Sequence, residues 1–391
     1  MQLEWTKIDP STATKDQIKG EIVRLKDLAN FYMNAEQAIK IFINSVYGAF
    51  GSQYFTFYNI AVAEAVTLQG QDLIKYSEKI LNRYFLEFWH NDHKLHEILG
   101  ITKAEKLDMP VVIYCDTDSN YVTFHELLKK CDYPGNNRDF ILTLYRKFLK
   151  GYLDTCYDIY AEKSGTTNYQ SFELENIADS GVWLAKKKYV YNTIWKDPGI
   201  DVETLTDITA KGVEIVQSSS SQYVRDTLKN LLKYVFTKKS EFNPAEFAQI
   251  LRKYKEEFKL KDIEEISMAS SIGDYEKYVL TDKEKLVLEK GCPIHVRASA
   301  TYNFTLNNSK YKKKYQLIRS GEKVKYYHAK NVRDQDNVFA FISGAFPIEF
   351  APEIDHDFQF NKSVVTPINR FVEAMGFPPI SPQLLIRTQL F

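Results

Sequence analysis

The stretch Val111-Val112-Ile113-Tyr114-Cys115-Asp116-Thr117-Asp118-Ser119-Asn120-Tyr121-Val122-Thr123-Phe124 decides the reading of this chain. Apolar, strand-forming residues lead into an Asp-Thr-Asp-Ser quartet, and a polar-aromatic run leads out. That pattern predicts a β-hairpin with two carboxylates at its tip. Side chains two apart on a strand-like backbone point the same way, so Asp116 and Asp118 are expected on one side. Paired carboxylates on a rigid tip suit Mg²⁺, which takes hard oxygen ligands. The same residues also read as a solvated Asx-turn. An EF-hand is excluded, because the sixth position of such a loop would be Tyr121 in place of Gly and the twelfth Leu127 in place of Glu.

Helical spacing flanks the hairpin. Ile18, Ile22, Leu25, Leu28, Tyr32, Ala35, Ala38 and Phe42 recur at steps of three and four, predicting a helix over 14–48 that Gly48 and Gly51 stop. A second helix is expected from about Ile60 to Phe88, and a third over 135–163. Strands follow at Ser171–Ile177, Val182–Leu184 and Tyr189–Ile194. Pro198-Gly199 marks a turn and a domain boundary, and helices are expected near 219–238 and 244–258.

Composition narrows the classes. Of the 391 residues 44% are hydrophobic and 26% charged, which is ordinary for a globular chain with more than one core. Lys plus Arg equals Asp plus Glu at 51 each, so a nucleic-acid partner must be met by local basic patches. The four cysteines, Cys115, Cys131, Cys156 and Cys292, have no metal-like spacing and fit a reducing compartment. The first residues do not read as a signal peptide, and no apolar run approaches a membrane span.

Four further constellations carry chemistry. Lys40, Asn44, Tyr47 and Gly48 stand in Lys-x-x-x-Asn-Ser-x-Tyr-Gly, with the first three on one helical face. A lysine there can clamp a triphosphate and the tyrosine can pack on a sugar or base; a solvated helix end is the alternative. Lys186, Lys187, Lys188 and Tyr189 lie between strands, suited to phosphate contacts on a duplex or to a solvated charge run. Glu173 and Glu175 are expected to share a strand face, with Glu175 a supporting acid for metal. Lys310, Lys312, Lys313 and Lys314, interleaved with Tyr311 and Tyr315, form the most basic patch, a nucleic-acid surface or a lysine-guarded hairpin edge. His90, His93 and His96 step by three, but no closing ligand is near, which weighs against a metal site.

Taken in order, Lys-x-x-x-Asn-Ser-x-Tyr-Gly at 40–48, Asp-Thr-Asp-Ser at 116–119 and Lys-Lys-x-Tyr at 186–189 resemble the motifs of family B DNA polymerases. The likeness is greatest to those of T-even-type tailed phages. Cys292-Pro293-Ile294-His295-Val296-Arg297, Thr301-Tyr302-Asn303, and Lys211-Gly212 leading to Gln217-Ser218-Ser219 support it, and it spans roughly 36–375.

The resemblance implies an α+β fold of the right-hand polymerase kind. Residues 1–48 would be the returning helix of the fingers, 49–205 the palm with its antiparallel sheet, and 206–391 a mostly helical thumb with a C-terminal tail. It implies DNA-directed DNA synthesis from dNTP on primer-template DNA with two Mg²⁺ ions. Asp118 would bridge the ions, with Asp116 a nearby ligand and Glu175 a supporting one. Lys40 would meet the triphosphate, and Asn44, Tyr47 and Gly48 would line the nascent base pair. Lys186, Lys187, Lys188, Tyr189, Lys211, Lys312, Lys313 and Lys314 would hold DNA. The tail Gln383–Phe391 would dock on a sliding clamp or else pack on the thumb. The resemblance also implies a viral protein acting in the host cytoplasm.

The sequence departs from the family at Cys115, where Gly is usual. It also lacks Asp-x-x-Ser-Leu-Tyr-Pro, the first fingers helix with its triphosphate-binding Arg, and the 3′–5′ exonuclease motifs. The expectation is therefore the C-terminal half of a split polymerase, active with a separate N-terminal half. A non-catalytic DNA-binding or scaffold subunit derived from a polymerase is the alternative, and a fragment of a longer polymerase is another.

Overall fold

The computed structural model describes residues 7–9, 11–197, 200–201, 208–280, 285–330 and 337–385. The Pro198-Gly199 boundary lies outside the described residues, as does the tail beyond Leu385. The chain divides into two units, one of residues 1–135 and 151–168, the other of residues 136–150 and 169–391. Helices and small antiparallel sheets alternate, an α+β arrangement.

In the first unit, α1 (Lys15–Phe50) opens on a capping box in which Thr14 and Gln17 satisfy each other's backbone N–H groups. It closes at Gly51, whose N–H reaches the carbonyls of Gly48 and Ala49. Gly48 therefore lies inside the helix, because the backbone hydrogen bonds run on past it to Gly51. Next, α2 (Ile60–Arg83) starts at Asn59, whose side chain accepts from Val62 N–H at 3.2 Å. Its C-terminal half buries Ile74, Ser77, Ile80 and Leu81. A π-turn, Tyr84–Phe88, follows and delivers Phe85 onto Trp89 and Phe124, with ring centroids 5.9 and 5.5 Å apart.

The hairpin is formed by β1 (Val112–Asp116) and β2 (Ser119–Val122), paired antiparallel with a register shift between Val112 and Tyr114. The helix α3 (Lys150–Lys163) packs on α2 through a 2.6 Å hydrogen bond between the buried Tyr157 and Ser77 hydroxyls.

The second unit is built around one large core, with a smaller cluster of Val279, Cys292, Val296 and Ala300 beside it. The long hairpin of β3 (Asn176–Ala185) and β4 (Lys188–Lys196) takes β5 (Ile208–Lys211) on the other side of β4. The helices α4 (Gln222–Lys238) and α5 (Pro244–Lys259) carry apolar stripes. A second sheet orders β6 (Met268–Ser271), β7 (Lys323–His328) and β8 (Val338–Phe341), with α6 (Ile294–Asn307) packed on β8. Val182 and Val190 of the hairpin, Leu231 and Phe247 of the helices, and Phe339 and Phe341 of the second sheet belong to the same buried cluster.

Residues 169–175, expected as the start of a strand, are irregular; pairing begins only at Asn176. Residues 309–315 form successive turns, so the basic patch is not on a hairpin edge.

Candidate functional site

The carboxylate hairpin forms as expected, but its two acids part company. Asp116 pairs with Ser119 across the ladder, so Thr117 and Asp118 make a two-residue turn. Strand alternation does not extend into a turn, and the result is a buried Asp116 beside an exposed Asp118. Thr117 takes φ 55°, an unusual value for a β-branched residue. Three contacts hold it there. Asp118 N–H donates to the Asp116 carbonyl at 2.6 Å, Ser119 Oγ donates to the same oxygen at 3.1 Å, and Thr117 Oγ1 donates to Asp116 Oδ1 at 3.2 Å.

The base of the hairpin is fixed by a residue that sequence reasoning missed. Asn82, near the end of α2, accepts the N–H groups of both Val111 and Val112 on one side-chain oxygen, each at 3.0 Å. These N–H groups belong to residues within the core, where a lost partner is expensive. Nothing local in the sequence signals a contact across 29 residues. Cys115 donates its thiol to Asn120 Oδ1 at 3.0 Å and lies 3.8 Å from Glu78 Oε2. Burial first, and then the Glu78 charge, push that thiol up to about 11, so it stays protonated.

On α1, Lys40, Asn44, Tyr47 and Gly48 are all exposed. Lys40 Nζ sits 2.6 Å from Glu36 Oε1, an exposed pair one turn apart and therefore easily exchanged for a stronger anion. The Tyr47 hydroxyl lies 2.6 Å from Thr67 Oγ1 of α2. Thr67 already donates to the Ala63 carbonyl at 3.0 Å, so Tyr47 is the donor to Thr67.

In the second unit, Lys186 and Lys187 form the tip of the β3–β4 hairpin, bracketed by the Ala185–Lys188 pair. Lys186, Lys187 and Lys188 are exposed, as is Lys211. Tyr189 is not available to DNA as expected: its ring is fully buried, nearly parallel to Trp183 and to Tyr191, with interplanar angles of 23° and 10°. It lies on the β4 face opposite Val190, which belongs to the large apolar cluster, and Lys211 Nζ rests 6.0 Å from its ring centre. The lysine tip also leans on Gly212, at φ 65°, where a Cβ would stand 2.0 Å from the Lys187 carbonyl oxygen.

Glu173 and Glu175 are both exposed, though not on a strand. Glu173 binds Lys150 Nζ and the Tyr145 hydroxyl, each at 2.6 Å. The Lys150 ammonium first, then that hydroxyl, hold its carboxyl down at about 2. Among the basic-patch residues, Lys312 and Lys313 are exposed, whereas Lys314 pairs with Glu349, which also takes the Tyr315 hydroxyl. His96 is buried edge-on against Trp89. Among the described residues no group of three His, Cys, Asp or Glu could hold a metal ion. The hairpin carboxylates match the oxygen chemistry of Mg²⁺ but supply only part of a coordination shell.

Residues 12–130 match the model of DNA polymerase family B. The DNA-directed DNA polymerase of Enterobacteria phage T4 is 24% identical over 362 residues, covering 86% of this chain and 36% of that protein. The chain is similar to family B DNA polymerases over that segment.

The DNA-directed DNA polymerase of Escherichia phage RB69 agrees, at 25% identity over 69% of this chain and 29% of its own length. The DNA polymerase of Choristoneura biennis entomopoxvirus is 27% identical over 52% of this chain and 21% of its own. The chain thus spans about a third of the length of the phage relatives it matches. The family B match covers both α1 and the carboxylate hairpin, in which the Lys-x-x-x-Asn-Ser-x-Tyr-Gly and Asp-Thr-Asp-Ser motifs lie. No helix among the described residues is long and apolar enough to cross a membrane.

Proposed function

We propose that this chain carries the palm and thumb, with the last fingers helix, of a template-directed DNA polymerase that adds dNTP to a primer 3′ end. The observation that carries this is the Asp116–Asp118 hairpin inside the family B segment. In this reading Asp118, exposed on the turn, and Asp116, beneath it, would hold Mg²⁺. The metal, when bound, neutralises charge on the attacking 3′ oxygen and the leaving pyrophosphate. The protein's own residues position. Lys40 gives up Glu36 for the triphosphate, while Asn44, Tyr47 and Gly48 border the new base pair. Lys186, Lys187, Lys188, Lys211, Lys312 and Lys313 grip the DNA backbone, and Lys314 joins them if it leaves Glu349. Tyr189 acts from below, as the buried floor under the lysine tip. A clamp contact by the tail remains part of the proposal, although only Gln383, Leu384 and Leu385 of it are described.

Two carboxylates on one hairpin do not complete a polymerase metal site, and the Asp-x-x-Ser-Leu-Tyr-Pro segment is not among these residues. In this reading the facing carboxylate and the exonuclease are supplied by a separate N-terminal half.

Primer extension with dNTPs and Mg²⁺ tests this. The expected result is extension by the chain mixed with the polypeptide that bears the missing segment, none by the chain alone, and a loss of at least about a hundredfold with Asp118→Asn. Extension by the chain alone would overturn the partner requirement. DNA binding without extension in any combination would establish a scaffold instead.

A further inference from the structure

The lysine tip of the β3–β4 hairpin is held by more than its own strands. Lys187 takes φ 60°, a left-handed value that few L side chains adopt, and Gly212 lies against its carbonyl at φ 65°. A glutamine holds Gly212 in turn. The Gln217 side-chain amide donates to the Gly212 carbonyl at 3.0 Å and closes residues 212–217 into a ring. Val213, inside that ring, is buried in the large core, and its carbonyl accepts Val216 N–H at 3.1 Å. The Gln217 backbone is fixed as well: its carbonyl accepts Ser220 N–H at 3.1 Å and Arg225 Nη1 of α4 at 3.3 Å. Two more contacts pin the loop. The Ser219 carbonyl accepts Ala269 N–H of β6 at 2.8 Å, and Glu214 pairs with Arg370 at 2.7 Å. Residues 212–221 are therefore a tied connection between β5 and α4, anchored on the tip at one end and on α4 and the second sheet at the other.

We propose that Gln217 is a positioning residue for the lysine tip: its amide seats Gly212 beneath Lys187, and the loop that carries it makes the position of the DNA-gripping lysines depend on α4 and β6. This rests on the DNA reading of those lysines given above. Gln217 acts through Gly212 and not by contact with DNA. A glutamine suits the task, because its side chain reaches back five residues and its Nε2 supplies the donor that the Gly212 carbonyl takes. Without that donor the Gly212 backbone is free to draw away from Lys187, and the tip loses the support that fixes its height above β5.

Binding of the full chain to a primer-template duplex, followed by fluorescence anisotropy over a range of salt, tests this. Gln217→Met keeps the length of the side chain and removes the donor. Lys186→Ala with Lys187→Ala removes the tip, a third variant combines all three changes, and Gln249→Met, at an exposed glutamine of α5, is the control. Gln217 is partly exposed, so the variants should fold, with helicity checked by circular dichroism. The slope of log affinity against log salt should fall by about two in the tip variant, at about 0.9 per phosphate, and by about one in Gln217→Met. The control should keep the native slope. The combined variant should match the tip variant, because a residue that acts through the tip has nothing left to act on. A native slope in Gln217→Met beside a lowered one in the tip variant overturns the proposal and leaves the DNA reading of the tip in place. A further fall in the combined variant overturns it too, because Gln217 would then act elsewhere. A native slope in the tip variant, or no DNA binding by the chain, overturns the DNA reading itself. Amide hydrogen exchange over residues 185–189 then judges the seat: it should quicken in Gln217→Met, and unchanged exchange overturns the positioning role.

Discussion

Gly212→Ala probes the support beneath the lysine tip. Two separate penalties act there. The backbone sits at φ 65°, where an L side chain costs about 1–2 kcal/mol. The new Cβ would stand 2.0 Å from the Lys187 carbonyl oxygen, against an ordinary contact of 3.4 Å or more. The neighbour is backbone, so it cannot swing aside. Either β5 or the tip must move by more than an ångström, an overpacking cost of about 1–3 kcal/mol. The sum is about 3 kcal/mol. Gly321→Ala separates the two, because Gly321 also has positive φ, at 91°, but open space where its Cβ would go. Urea denaturation should show about 1 kcal/mol lost for Gly321→Ala and roughly three times that for Gly212→Ala. In DNA binding, Gly212→Ala should also flatten the dependence of affinity on salt, since displaced lysines neutralise fewer phosphates. Equal losses in the two variants, with an unchanged salt slope, would refute the claim that Gly212 positions the tip.

Two further expectations rest on single side chains. Asn82→Leu leaves the Val111 and Val112 N–H groups without their acceptor, at about 2–4 kcal/mol in urea denaturation. Asn82→Asp keeps an acceptor and should lose far less, and equal losses would mean that packing, not the hydrogen bonds, fixes the hairpin. His328 is buried, and burial pushes it down to about 4, with the Lys362 charge adding to the effect. The folded chain therefore keeps it neutral while the unfolded chain protonates it near 6.5, so stability falls as pH drops from about 6.5 toward 4, by about 3 kcal/mol in total. His328→Gln should flatten chemical denaturation across that window. An unchanged slope would assign the effect to His96, His295 and His356, which burial also depresses.

Local patterns were legible and long-range ones were not. Periodicity placed α1, α2, α4, α5 and β4 within a few residues, because each is specified by its own apolar spacing, but it split β3 into Ser171–Ile177 and Val182–Leu184 where one strand runs Asn176–Ala185. The carboxylate hairpin was legible for the same reason. Its side-chain directions were not, since a two-residue turn breaks the alternation that a continuous strand would keep. The burial of Tyr189 was not legible either, because it comes from the Trp183 and Tyr191 rings beside it, one of them on the neighbouring strand. The extended stretch with Glu173 and Glu175 alternates in exposure as a strand would, but the regular ladder with β4 begins only at Asn176. Asn82, Gly212 and Glu349 carried no local signal. Each acts on a segment 25 or more residues away along the chain, which only the folded structure brings near.

The hairpin tip bears on the choice between a working site and a solvated turn. A turn with no task would be expected to place Gly or Asn where φ is positive, because those residues accept that conformation with little strain. Here a threonine holds φ 55°, which costs about 1–3 kcal/mol. The surroundings over-determine it: Ser119 and Asp118 both bind the Asp116 carbonyl, and Asn82 fixes the strand that leads in. The consequence is an Asp118 held out in solvent by a stiff tip above a buried Asp116. A flexible Asx-turn would leave both carboxylates mobile. Strain retained beneath an exposed acid is what a ligand-holding tip requires, and it favours the metal-binding reading of Asp116 and Asp118 over the solvated one.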